Sequence, residues 1–150
     1  MRLGLIAVSG VRIYNERLRR HGITLPGFVE RAQVIASMPS LGLLTLAAVT
    51  PDRYEVAYLE CPEYDPNNLP DFDLVGISSF TAKSDVMYQI ADFYRQRGTP
   101  VVLGGLHVTL CPEEAAGHTD AVVVGEGERL WPHLLADWEA GQLQKYYRNT

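Results

Sequence analysis

The sequence predicts an α/β fold: a doubly wound, Rossmann-like parallel sheet of five strands in the flavodoxin-like order 2-1-3-4-5, with helices on both faces. Two observations predict it. Short continuous apolar runs such as "LGLIAV" (residues 3–8) and "PVVLGG" (residues 100–105) recur along the chain, as suits strands buried on both faces. Segments with apolar residues at helical spacing alternate with them, as crossover helices do between parallel strands.

The run from Leu3 to Val8 is the first strand and stops at Ser9-Gly10. Within residues 11–38, "NERLRRHG" and "FVERAQVIASM" each suit a short helix, broken at Thr24-Leu25-Pro26-Gly27. "PSLGLLTLAAVT" (39–50) reads as a helix apolar almost all round, so it is expected to be covered on more than one side, by residues 11–38 or by another domain. "YEVAYLE" (54–60) and "DLVGISS" (73–79) are the second and third strands. In "KSDVMYQIADFYRQRG", Val86, Met87, Ile90, Phe93 and Tyr94 share one helical face, with Arg95 and Arg97 in the last turn and Gly98 as the cap. "PVVLGG" is strand four, "PEEAAG" (112–117) a short helix and "DAVVVG" (120–125) strand five. The last helix carries Leu130, Trp131, Leu134, Leu135 and Trp138 on one face, and Pro132 requires it to begin near Arg129.

Composition narrows the function. With 150 residues, 47% of them hydrophobic and 21% charged, the chain is long enough for one domain with a sizeable core. A net charge of -5 without a basic stripe disfavours nucleic acid as a partner; Arg17-Leu18-Arg19-Arg20 reads as a solvated helix face. Two cysteines, Cys61 and Cys111, are too few for a disulfide scaffold and suit reduced thiols in a cytoplasm. The N-terminal apolar run is too short for a signal peptide, and no stretch approaches the roughly 18 apolar residues of a spanning helix.

In such a sheet ligands bind beyond the carboxyl ends of the strands. Three segments share that edge: "SSFTAKSD" after strand three, "GGLHVTLCPEE" after strand four and "GEGE" after strand five. Gly104-Gly105 allows unusual backbone angles or a ligand lying against bare main chain. Ser78, Ser79 and Thr81 offer hydroxyls to a ligand, or caps to the next helix. Gly125-Glu126-Gly127-Glu128 is no phosphate loop, since its carboxylates repel phosphate and neither a dinucleotide fingerprint nor a Walker pattern occurs. Glu126 suits a hydrogen bond to a ligand amide or hydroxyl, or a helix N-terminus. His107, Cys111 and His118 are natural metal candidates, but His107 and Cys111 share a face only in a helix, which Pro112 opposes, so no metal ligand is assigned.

In order, "MPSLGLLTLAAV", "DFDLVGISSFTAKSD", "PVVLGGLHVTLCPEE" and "DAVVVGEGE" resemble the N-terminal cobalamin-binding domain of cobalamin-dependent radical S-adenosylmethionine enzymes, a family that includes methyltransferases and the anaerobic magnesium-protoporphyrin monomethyl ester cyclase type. The resemblance implies a cobalamin-binding domain over residues 1–140, with 141–150 starting a linker to a C-terminal radical barrel. It implies that the nucleotide tail of cobalamin passes Ser78 and Thr81, lies over Gly104-Gly105 and borders Gly125, and that His107 sits near the corrin rim. With Ser79 and Glu126 these make the candidate cofactor-binding set. The resemblance also implies S-adenosylmethionine and a 4Fe-4S cluster in the parent protein; Cys61 and Cys111 cannot supply the three cysteines of that cluster, so this chain is expected to bind rather than catalyse. One departure stands out. The place after strand one, where many corrinoid domains carry Asp-x-His-x-x-Gly with a lower cobalt ligand, reads "SGVRIYNERL", and the first histidine is His21.

Two other readings remain open. A flavodoxin-like or receiver-like regulatory domain would bind no cobalamin; phosphotransfer is disfavoured by Ser9-Gly10 and Ser78-Ser79 where acidic residues belong, while Ser79, Thr81 and Ser84 leave a flavin phosphate open. A small enzyme using Cys111 as nucleophile and His107 as base lacks an evident orienting group.

Overall fold

The computed structural model describes residues 1–8 and 39–149. The helices expected within residues 11–38, and the segment after strand one with the missing lower-ligand motif, lie outside the described residues. The elements are β1 (Arg2–Val8), α1 (Leu41–Val49), β2 (Glu55–Glu60), β3 (Leu74–Ser79), α2 (Ser84–Gln96), β4 (Val101–Gly104), α3 (Leu106–Leu110), α4 (Pro112–Ala115), β5 (Ala121–Val124), α5 (Trp131–Glu139) and β6 (Tyr146–Arg148). Three single 3-10 turns, Pro66–Asn68, Thr81–Lys83 and Ala116–His118, punctuate the loops.

All paired strands are parallel, in the order β2-β1-β3-β4-β5-β6. The expected order of the first five strands holds; the count of five is corrected to six. β6 is only three residues long and puts a single side chain inward, too little pattern to read from sequence. Tyr147 is that side chain, 3% exposed. Its hydroxyl donates to Asp137 Oδ2 at 2.8 Å and accepts from the Gln144 N–H at 3.0 Å, and burial pushes its pKa up to about 12.

Because strand side chains alternate in direction, the core divides by parity. Ile6, Val75, Ile77, Leu103 and Val122 pack under α2, α3 and α4 through Met87, Ile90, Phe93, Val108 and Ala115. Leu3, Leu5, Leu74, Val102 and Val123 pack under α1 and α5 through Leu43, Trp131, Leu134 and Leu135. Each fully buried aliphatic or aromatic side chain contributes about 1.5–3 kcal/mol relative to exposure.

Helices α1 and α5 pack on one face of the sheet, and Leu43, Leu46 and Trp131 bring them to the carboxyl ends of the strands. α1 starts where Ser40 Oγ accepts the Leu43 N–H at 3.4 Å. It buries Leu43 and leaves Leu41, Leu44 and Val49 exposed. α5 carries Pro132 in its first turn, where a missing N–H costs nothing. Trp131, 2% exposed, ties α5 to the end of α1 by donating its indole N–H to Thr50 Oγ1 at 2.8 Å.

Candidate cofactor site

The carboxyl ends of β3, β4 and β5 lie side by side, with Ser78 paired to Gly104 across the β3–β4 ladder. A cavity of about 150 Å³ opens there between the sheet and the helices α1 and α5. Gly76, Ser78, Gly104 and Gly105 form its floor; Gly42, Leu43, Leu46 and Trp131 its helical walls; Gly125, Glu126, Gly127 and Glu128 one rim.

Glycine at this edge has separate jobs. Gly105 takes φ 96° and ψ -172°, backbone that only glycine adopts readily. A Cβ there would overlap Ser78 Oγ and crowd the Ser79 backbone, so its bareness makes room for β3 itself. Gly104 differs: a Cβ would make only ordinary contacts with Val123, so its bareness leaves cavity. Among the described residues, nothing lies within 4 Å of a would-be Cβ at Gly42. Glycine inside a helix costs about 1 kcal/mol against alanine, and here it keeps the wall of the cavity thin. Gly125, at φ 87°, turns the chain out of β5.

Ser78 is half-buried at the cavity, and among the described residues its hydroxyl has no hydrogen-bond partner. Thr109 fastens the two loops of the rim: its hydroxyl donates to the Gly105 carbonyl at 2.9 Å and accepts the Gly125 N–H at 3.0 Å. Asn149 Nδ2 donates to the Glu126 carbonyl at 2.8 Å, which steadies the glutamate loop. Among the described residues no basic side chain lines the cavity, and two carboxylates do. Apolar walls, one spare hydroxyl and bare main chain suit a flat, uncharged heterocycle; a cavity of ~150 Å³ accepts an aromatic ring. An anionic group fits poorly beside Glu126 and Glu128.

Of the eight residues singled out from the sequence, the structure brings Ser78, Gly104, Gly105, Gly125 and Glu126 to this cavity. Ser79, Thr81 and His107 belong to the other face. Ser79 is buried and its hydroxyl donates to the Phe80 carbonyl at 2.9 Å. His107 is 3% exposed; its Nδ1 lies 3.2 Å from Thr81 Oγ1 and its Nε2 3.0 Å from the Tyr88 hydroxyl. Tyr88 also donates to Glu114 Oε1 at 3.0 Å, and burial, together with that bond, raises its pKa. Residues 106–110, expected as loop, are helical, so His107 and Cys111 do share a face; Pro112 opens α4 rather than breaking α3. His118 stands apart, with Nδ1 3.1 Å from Asp92 Oδ2 and its ring stacked on Tyr88. Sequence reasoning missed Gly42, Trp131, Thr109 and Glu128. A glycine interrupting an apolar helix was the one available signal, at Gly42.

The chain is 43% identical over 109 residues to the bacteriochlorophyllide d C-8(2)-methyltransferase of Chlorobaculum tepidum, covering 72% of this chain and 24% of that protein. It is 32% identical over 114 residues to the bacteriochlorophyllide d C-12(1)-methyltransferase of the same organism, covering 75% of this chain and 25% of that protein. The chain thus spans about a quarter of the length of these relatives. No solved structure matches it. The B12 binding domain model matches residues 31–135, and with most of its length inside that match the chain belongs to the B12-binding domain family.

Proposed function

We propose that the chain holds cobalamin at the carboxyl edge of the sheet, with the benzimidazole of the nucleotide tail in the cavity between α1, α5 and β3–β4. The observation that carries this is the cavity floor, where bare main chain at Gly104 adjoins the Ser78 hydroxyl, unpartnered among the described residues. Ser78 would donate to a ring nitrogen of the heterocycle, Leu43, Leu46 and Trp131, which line the cavity, would pack its faces, and Gly42 would give it width. Glu126 and Glu128 at the rim would keep the tail's phosphate outside, and Glu126 would accept from amide groups of the cofactor. Ser79, Thr81 and His107 brace the edge from behind without touching the cofactor.

Bound cobalamin supplies a cobalt centre able to carry a methyl group. On this reading the chain is the cobalamin module of a longer radical S-adenosylmethionine enzyme of methyltransferase type, supported by the two methyltransferases it is similar to. The module takes in β6 (Tyr146–Arg148), which pairs with β5, so its limit lies past the expected residue 140, and a barrel holding substrate, S-adenosylmethionine and a 4Fe-4S cluster would be a separate part of the longer protein. Phe80, Leu106 and Leu110, exposed at the same edge, offer apolar surface to that barrel. Cys61 and Cys111 are free thiols, which suits a cytoplasmic setting; no helix among the described residues is long and apolar enough to cross a membrane.

The test is direct. Reduced, purified chain mixed with hydroxocobalamin is expected to leave a desalting column coloured, and Ser78→Val to weaken retention at least about tenfold, some 1.4 kcal/mol. Folded, colourless protein at high cofactor excess would overturn the reading. A Cys-x-x-x-Cys-x-x-Cys motif in the continuing reading frame tests the parent enzyme separately.

A further inference from the structure

We propose that His107, Cys111 and Glu114 form a binding site for a zinc-class divalent ion on the sheet face opposite the cofactor cavity. The ligand atoms of these three residues all lie within 4.8 Å of one another, the one such cluster among the described residues. Local structure explains the meeting. The Cys111 N–H donates to the His107 carbonyl at 2.9 Å, closing a helical turn that puts the two side chains on one face. Pro112 then starts α4, which carries Glu114 back over the pair.

The spacing suits the metal. His107 Nε2 and Glu114 Oε1 are 3.4 Å apart, about the separation of two ligands on a tetrahedral ion with bonds of about 2.0–2.2 Å. Thiolate, imidazole and carboxylate together select a borderline ion such as Zn²⁺ over Mg²⁺ or Ca²⁺, which require oxygen donors. His107 is already oriented as metal-bound histidines are, with its other nitrogen, Nδ1, against the Thr81 hydroxyl. When Nδ1–H donates to Thr81, the Nε2 lone pair and the Glu114 carboxylate both face the single Tyr88 phenol proton. One proton serves two acceptors there, and an ion supplies the missing electrophile. Glu114 is exposed and Cys111 half-buried, which leaves an entry path and a fourth position for water. Binding releases the Cys111 thiol proton to solvent.

The chelator-stripped, reduced 150-residue chain is titrated with Co²⁺, then with Zn²⁺. One Co²⁺ per chain is expected, with a thiolate-to-cobalt absorption band that Zn²⁺ displaces. Cys111→Ser should abolish the band, and Glu114→Gln, an exposed position that leaves folding intact, should weaken Zn²⁺ at least about tenfold. Thr81→Val should weaken it roughly 10- to 100-fold as an outer partner of the histidine; Cys61→Ser should change nothing. Absence of saturable binding, equal binding by wild type and Glu114→Gln, or a band that depends on Cys61 would overturn the site. Cobalamin binding, on the opposite face, is expected to be the same in Glu114→Gln and wild type, so the two proposals fail separately.

Discussion

Ser78 and Ser79 are neighbours in the chain but stand on opposite faces of β3. Ser78 looks into a cavity with its hydroxyl free among the described residues. Ser79 is buried, its hydroxyl bonded to the next carbonyl. The same contrast runs along the whole edge. On the α1–α5 side, glycines leave space that no described side chain fills. On the α2–α3–α4 side, Thr81, His107, Tyr88 and Glu114 close on one another through hydrogen bonds of 3.0–3.2 Å. One face is built to receive and the other to hold. Open space beside bare main chain, not mere position at the strand ends, separates them.

Breaking the receiving face should have the largest effect. Trp131→Ala removes a side chain 2% exposed and its bond to Thr50, and should cost about 3–5 kcal/mol in urea unfolding. A loss below about 1 kcal/mol, the usual size of a single surface change, would mean that α5 is held by something other than this wall. Gly105→Ala comes next, because Gly105 sits where the faces meet. A positive φ of 96° and overlap with Ser78 Oγ should cost roughly 2 kcal/mol and weaken hydroxocobalamin as well.

Gly42→Leu sharpens the contrast without unfolding the protein. It fills space that is open among the described residues, so stability should stay level or rise by up to about 1 kcal/mol, while hydroxocobalamin affinity falls at least about tenfold. The mirror variant, Thr81→Val on the holding face, should leave hydroxocobalamin affinity within about twofold. If the two variants exchange these effects in equilibrium titrations, the faces have been assigned the wrong way round.

The smallest effect lies away from the edge. Glu139 accepts the Tyr54 hydroxyl, and Arg53 donates to both of its oxygens at 3.2 Å. The Tyr54 bond first, and then Arg53, hold its carboxyl below the usual range. The folded state therefore binds this proton less readily than the unfolded chain. The cluster's contribution is complete above the ordinary carboxylate range and fades as pH falls through the folded value. Denaturant midpoints for wild type and Glu139→Gln should differ at neutral pH and converge in acid; a constant gap would show that ionisation of Glu139 contributes nothing.

Strands β1 to β5 were legible because each is built around a short apolar run, and they fall within a residue or two of the expected limits. That same property hid the faces. A strand buried on both sides has no polar alternation to show which way Ser78 and Ser79 point. Only the helices reveal it, through the packing of Met87 and Phe93 against one parity and Leu43 and Trp131 against the other. α3 was hidden for another reason: Gly104-Gly105 before it and Cys111-Pro112 after it read as loop punctuation, although the segment makes one full turn between them. With that turn unseen, His107 and Cys111 had no common face.

If the α1–α5 cavity receives the cofactor's nucleotide tail, a corrinoid without that tail should lose most of its hold. Cobinamide is such a corrinoid, and parallel titrations against hydroxocobalamin make the comparison most directly. Hydroxocobalamin should bind at least about tenfold more tightly to the wild-type chain, and Gly42→Leu should erase that advantage. Equal affinity of the wild-type chain for the two corrinoids would contradict a tail seated in this cavity.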